Sequence, residues 1–235
     1  ETGEHLMHGM GELHLEVVTN RIIREKGVDI KTSPPIVVYR ETVTRKSQEV
    51  EGKSPNKHNK LYFIVEPLDP VIAQGIKEDK MPHGRYKKKD DKVISFLREE
   101  VVWDTKLAQA VRAECNGNIF VEQTRGQVHI GEIIELVLDM FEDVMKGGPL
   151  AKEPCTNLKV SLMDCNLHED AIHRGPAQMY PAVREGIRGA IMQAGPILFE
   201  PMQVMHIEVP NEYVGEISKL GASKRGQLQE MNQEG

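Results

Sequence analysis

At 235 residues, with 39% apolar and 28% charged side chains, the chain can build one large domain or two small ones with an ordinary globular core. No apolar run approaches the roughly 20 residues of a membrane-crossing helix, and Glu1-Thr2-Gly3-Glu4 is not the basic start of a secretory signal. The net charge of -6 excludes a generally basic surface, so any RNA contact must be local.

A cytoplasmic protein with no membrane partner is therefore expected. The cysteines Cys115, Cys155 and Cys165 fit neither a CxxC metal site nor a complete set of disulfides, and read as reduced structural thiols. Both ends read as cut, because there is no initiator methionine and the chain opens inside a motif.

Gly11 to Lys26 places Leu13, Val17, Ile22 and Ile23 on helical repeats, with Gly27 just past the end as a terminator. Val28 to Ile30 alternates like a short strand before Ser33-Pro34-Pro35 breaks it. Ile36 to Tyr39 and Leu61 to Val65 suggest an antiparallel strand pair, joined by a polar connection from Gln48 to Lys60. Asp79 to Lys92 is heavily charged, and its most basic run, Arg85-Tyr86-Lys87-Lys88-Lys89, precedes Asp90-Asp91; a solvated face is favoured over a nucleic-acid patch. Trp103, the sole tryptophan, suits core or interface packing better than base stacking.

Further on, Gly117-Asn118 is a turn, Ile119 to Glu122 a short strand, and Ile130 to Met145 an amphipathic helix stopped by Gly147-Gly148-Pro149. Leu158, Val160 and Leu162 alternate with Lys159 and Ser161 in a strand over 157–167. Val183, Ile187, Ala190, Ile191 and Ala194 set a helix over 177–194, with Pro176 and Pro181 suited to its start and Gly195-Pro196 closing the unit. Val204 to Val209, Glu212 to Leu220 and Gly226 to Met231 then read as strand, helix, strand.

Between the 157–167 strand and the helix after it lies His168-Glu169-Asp170-Ala171-Ile172-His173-Arg174-Gly175-Pro176-Ala177-Gln178. Gly175 is expected to turn the chain sharply and hold His173 outward; the plain alternative is an ordinary loop histidine. A zinc-protease reading fails because its two histidines must stand four apart on one helix face. His168 and His173 are five apart, which on a helix turns them roughly 140° from each other.

Gly52-Lys53-Ser54 imitates the end of a phosphate-binding loop, but Ser47 stands where that pattern needs glycine. Asn56-Lys57-His58-Asn59 imitates the guanine-reading motif, but ends in asparagine where a carboxylate is required. His5, His8 and His14 lack supporting ligand spacing, Gly9-x-Gly11 lacks a third glycine, and no nucleophile, base and orienter stand at a recognisable spacing. Catalysis by this segment is not expected.

Three runs in order, His8-Gly9-Met10-Gly11-Glu12-Leu13-His14-Leu15-Glu16, Lys53-Ser54-Pro55-Asn56-Lys57-His58-Asn59-Lys60 and His168 to Gln178, resemble the elongation factor 2 family, the translocases of archaeal and eukaryotic ribosomes. Lys224-Arg225-Gly226-Gln227 resembles it again, and Pro176-Ala177, where eukaryotic members carry two more glycines, makes the chain similar to the archaeal branch.

The resemblance implies an α+β fold in three parts. Residues 1–36 would be the second half of the ferredoxin-like third domain. Residues 37–200 would be the elongated fourth domain, related to domain 2 of ribosomal protein S5. Residues 201–235 would be the first half of the ferredoxin-like fifth domain. The family's closing helix of the fourth domain is absent, which would leave apolar surface open.

It also implies that His173 is converted to diphthamide, by a 3-amino-3-carboxypropyl group attached to imidazole C2 and then methylated and amidated. The same residue would be the target of ADP-ribosylating toxins. Lys53, Ser54, Pro55, Asn56, Lys57, His58, Asn59 and Lys60, with His168, Asp170, Arg174, Gly175 and Gln178, would form a tip contacting rRNA, tRNA and mRNA at the decoding site. The implied partners are the ribosome, the diphthamide biosynthesis enzymes and the toxins. No cofactor is expected in this segment; GTP and Mg would bind a GTPase domain elsewhere in the parent protein. Two alternatives remain open: a related ribosome-associated GTPase of biogenesis or recycling, and a hydrolase with a site hidden from sequence reading.

Overall fold

Leu61, Phe63 and Val65 are fully buried while Lys60, Tyr62, Ile64 and Glu66 between them are not, so the period of two aims one strand face at a core. The computed structural model describes residues 5–34, 38–87, 90–124, 129–202 and 204–232. In chain order these form α1 (Glu12–Lys26), β1 (Arg40–Val43), β2 (Val50–Lys53), β3 (Lys60–Pro67), α2 (Pro70–Lys77), β4 (Gly84–Arg85), α3 (Asp91–Glu99), α4 (Thr105–Ala108), β5 (Val111–Cys115), β6 (Asn118–Glu122), α5 (Ile130–Lys146), β7 (Leu158–Asn166), a 3-10 turn (Ala171–Arg174), α6 (Pro176–Gln193), β8 (Pro196–Phe199), a second 3-10 turn (Asn211–Tyr213) and α7 (Val214–Ser223). Two units result, Glu1–Pro201 and Met202–Gly235.

The first unit holds a sheet in the order β2-β3-β7-β6-β5-β4, parallel only between β6 and β7. Helix α5 makes the crossover that such a parallel pair requires. Helices α5 and α6 bury Val137, Phe141, Val183 and Ile187 with Phe63, Phe120 and Val160 in one core. Ile119 and Val121 join Ile72, Phe96 and Leu97 from α2 and α3 in a second, so β6 is apolar on both faces. The fold is α+β, as the sequence suggested.

Helix α6 lies almost backbone to backbone on the sheet. A Cβ at Gly52 would stand 2.0 Å from the Ala182 carbonyl, and one at Gly186 2.5 Å from the Phe63 ring. Two positions without side chains thus fix α6 against β2 and β3, and with it the loop that enters α6.

Strands β1 and β8 form a separate antiparallel ribbon, with Arg40 opposite Phe199. Beside it the fully buried Glu41 carboxylate accepts backbone N–H groups from Leu150, Ala151 and Glu153 at 2.8–3.1 Å. These bonds offset the several kcal/mol that burying a bare carboxylate costs, of order 2–7 even for a neutral polar group.

Several expected elements differ. Ile36 lies outside the described residues, and the strand begins only at Arg40, pairing with β8 instead of the 61–65 segment. The antiparallel neighbour of β3 is β2, inside the expected polar connection. β2 escaped notice because Gly52 occupies its inward position, where α6 leaves no room for a side chain. Val28 to Ile30, Val204 to Val209 and Gly226 to Met231 are irregular among the described residues, while α1 and α7 form as expected. Gly27 ends α1 in the left-handed conformation at φ 64°, its N–H on the Ile23 carbonyl.

The expected basic run is also no free patch. Arg85 donates to Glu135, Asp139 and Glu142 of α5 at 2.6–2.8 Å, and these carboxylates, Glu142 first, hold its pKa above the usual value. Tyr86 is buried, and Lys88-Lys89 lies outside the described residues. Trp103 is half-buried against the second core, with Lys159 Nζ 5.2 Å from its ring centre.

Candidate functional site

The turn joining β2 to β3 begins where the ladder closes at the Lys53–Lys60 pair. Ser54 N donates to Asn59 O at 3.0 Å, and Lys57 N to Ser54 O at 2.8 Å. Lys57 supplies the reversal at φ 65°. Asn56 Oδ1 accepts the Ser54 hydroxyl at 2.5 Å and the His58 N–H at 3.1 Å, an asparagine folding the chain back on itself.

The second loop joins β7 to α6. Asp170 caps its 3-10 turn by accepting Ile172 N at 3.1 Å, and His168 Nδ1 accepts Asp170 N at 3.0 Å. His173 N donates to Asp170 O at 3.1 Å.

The two loops interlock. Asn59 accepts His168 N at 3.0 Å through Oδ1 and donates to the His173 carbonyl at 2.7 Å through Nδ2. Asn56 Nδ2 reaches the same carbonyl at 3.4 Å, and Asn56 N donates to Gln178 Oε1 at 3.0 Å. Above these bonds the rings of His58, His168 and His173 gather, with centroids 4.4 Å apart for His168–His173 and 5.0–5.1 Å from His58 to each. Lys57 and His173 therefore belong to neighbouring loops of one surface.

The roles of individual residues differ from the sequence expectation. Arg174 is not a solvent-facing cation. Its side chain is 4% exposed and donates to the carbonyls of His168 and Glu169 and to the Glu132 carboxylate. Arg174 Nε meets no partner among the described residues. Ser54 and Asn59 are buried too, so they frame the turn instead of offering it. Gly175 sits at φ -67° and ψ 168°, extended backbone open to any residue. His173 is half-buried among the other imidazoles instead of standing clear, while Ile172 beside it is 78% exposed.

Lys60 pairs with Glu51 at 3.1 Å; that bond raises the lysine's pKa and lowers the carboxylate's. Lys53 and Lys57 are exposed and belong to no salt bridge among the described residues. Glu132 was missed by sequence reading, since nothing in its helix marks it as the partner of a loop 42 residues away. His129 first and Arg174 second hold its carboxyl below the usual range. Among the described residues, no group of histidine, cysteine and carboxylate side chains is placed to hold a metal.

Comparison with known proteins follows the same pattern. The model of elongation factor G domain IV matches residues 85–195, and that of domain III matches residues 1–34. Elongation factor 2 of Methanocaldococcus jannaschii is 51% identical over 237 residues, covering 100% of this chain and 32% of the relative. The chain belongs to the elongation factor 2 family. Elongation factor 2 of Thermococcus onnurineus and of Pyrococcus furiosus are 49% and 48% identical over 235 residues, again 100% of this chain and 32% of each relative. The chain thus spans about a third of the length of these family members. Its mixed sheet with α5 and α6 lies largely inside the domain IV match, and so does the whole His168–Gln178 loop.

Proposed function

We propose that this chain is the ribosome-facing C-terminal part of a cytoplasmic translational GTPase that moves tRNA and mRNA through the ribosome. Residues 1–36 are read as the second half of domain III, 37–200 as domain IV and 201–235 as the first half of domain V. GTP and Mg belong to a domain elsewhere in the longer protein. His173 is the residue converted to diphthamide, and hence the target of ADP-ribosylating toxins.

The observation that carries this reading is the interlocked pair of loops around His173, held by the Asn59 carboxamide, with Lys53 and Lys57 exposed on the first of them. Each loop restrains the other, so the surface is preformed for a wet RNA groove where shape and phosphate contacts dominate. Lys53 and Lys57 offer phosphate contacts, and a modified His173 on the neighbouring loop adds reach and a further cation. Once this surface occupies the groove behind tRNA and mRNA, return is disfavoured. GTP hydrolysis elsewhere biases the populations and the loops hold the gain.

Mass spectrometry of the His173 peptide, from cells that naturally make the protein, tests the reading. The expected result is the diphthamide mass on that peptide. A bare histidine in actively translating cells overturns it in favour of a biogenesis or recycling GTPase. Replacing His173 by alanine should remove toxin-dependent ADP-ribosylation while costing less than about 1 kcal/mol of stability, because a half-buried loop side chain contributes little packing. With Lys53 and Lys57 as the exposed cations of the first loop, affinity for single-stranded RNA should be weak, and log K should fall against log salt with a slope of about -1.5.

A further inference from the structure

Asn59 is a fully buried polar side chain between exposed His58 and half-exposed Lys60. Leaving such a carboxamide without partners costs about 1–3 kcal/mol. Here both ends of the carboxamide are engaged: Oδ1 accepts His168 N at 3.0 Å, and Nδ2 donates to the His173 carbonyl at 2.7 Å and to Ser54 Oγ at 3.3 Å. The two backbone groups it holds are the first and last of the arch His168–His173, so one rigid amide sets the span of that arch.

The bond to His173 falls on the residue whose presentation matters. Its N–H is given to Asp170 O at 3.1 Å, and its carbonyl takes Asn59 Nδ2 with Asn56 Nδ2 behind it. With both backbone groups held, the Cα–Cβ direction is fixed, and only the side-chain torsions remain. The rings of His58 and His168 crowd these torsions. Arg174 supports the same arch from within through the His168 and Glu169 carbonyls, but makes no bond to His173.

We propose that Asn59 is the positioning residue that presents the His173 imidazole to the enzyme modifying its C2 carbon, where a C–C bond to the 3-amino-3-carboxypropyl group replaces the C2–H bond as that group's C–S bond to a sulfonium co-substrate breaks, the thioether leaving and the C2 proton passing to solvent. This rests on the reading that His173 is modified, and it assigns a role to a residue of the other loop. Reactions of this kind are steep in geometry, where about 1 Å of misplacement is worth about 100-fold.

Asn59→Asp is the sharp variant. It keeps volume and the acceptor for His168 N, but sets a second oxygen against the His173 carbonyl in place of the amide donor. Ile187→Val is the control, a core change worth about 0.5–1.5 kcal/mol in the middle of α6. Full-length bare protein of each kind is offered to the purified modification enzymes well below its melting temperature, with kcat and KM separated and the His173 peptide weighed.

The expected result is a fall in kcat of about 10- to 100-fold for Asn59→Asp with KM little changed, and wild-type behaviour for Ile187→Val. Equal kcat in wild type and Asn59→Asp overturns the positioning role alone, and so does an equal fall in both variants, which marks mere destabilisation. Wild-type protein that is never modified overturns the functional reading and this role with it. If Asn59→Asp does not fold, Ser54→Ala and Asn56→Ala carry the test, since they loosen Asn59's anchor and the second amide donor. Unchanged kcat in both then overturns the proposal.

Discussion

Helices α1 and α6 carry the same amphipathic signal and meet opposite fates. α6 buries seven residues, among them Met179, Val183 and Ile187, whereas α1 buries none and leaves Leu13 73% exposed. Helix α7 also buries none. A helix satisfies its backbone groups internally and forms wherever the pattern permits, while a strand needs a ladder from elsewhere. Strand patterns therefore succeed in the six-stranded body and fail at 28–30, 204–209 and 226–231, where only the helices take shape. Periodicity reports what a segment prefers, and a partner surface decides what it becomes.

The largest effect that could break this contrast lies in the core. Phe63→Ala should cost about 3–5 kcal/mol, while Leu13→Ala in this 235-residue chain should stay within about 0.5 kcal/mol by urea denaturation. A large loss at Leu13 would mean that α1 has a partner surface after all. Gly52→Ala comes next, because its Cβ would collide with the Ala182 carbonyl and force α6 off the sheet. About 1–3 kcal/mol is expected, together with shifted NMR signals at His173, which distinguishes a displaced helix from simple loss of packing.

Arg174→Met should cost a similar or smaller amount, about 1–3 kcal/mol, by leaving the His168 and Glu169 carbonyls without their donor. It should raise hydrogen exchange in the 168–175 loop and leave the rest of α5 untouched; a uniform change would refute Arg174 as the support of that loop. The smallest effect is one of pH. Glu132 has its folded-state pKa lowered by His129 and Arg174, so its contribution is present above the ordinary carboxyl range and fades as pH falls through the lowered value. Acid titration of loop exchange should show this fading in wild type and not in Glu132→Gln.

Much of the body was legible because its pattern is local. Leu61, Phe63 and Val65 declare β3, and Val183, Ile187 and Ala190 declare α6, since burial on one face follows from spacing alone. β2 was not legible, because its inward residue is a glycine whose reason is the approach of α6. In the candidate site, the two loop segments could be named from sequence, yet the parts played by their residues could not. Arg174 looks like a phosphate ligand until its own loop's carbonyls and Glu132 are seen to engage both of its terminal nitrogens. Asn59 looks like one polar turn residue among several until its carboxamide is found bridging the second loop.

Because β1 and β8 lie side by side, the polypeptide enters and leaves the body at one doorway. From there α6 runs 18 residues to the histidine cluster, about 27 Å of stiff rod. A twist of only about 10° at the doorway would swing the far end through about 5 Å, so a slight change of angle at the ribbon becomes a large displacement at the loops.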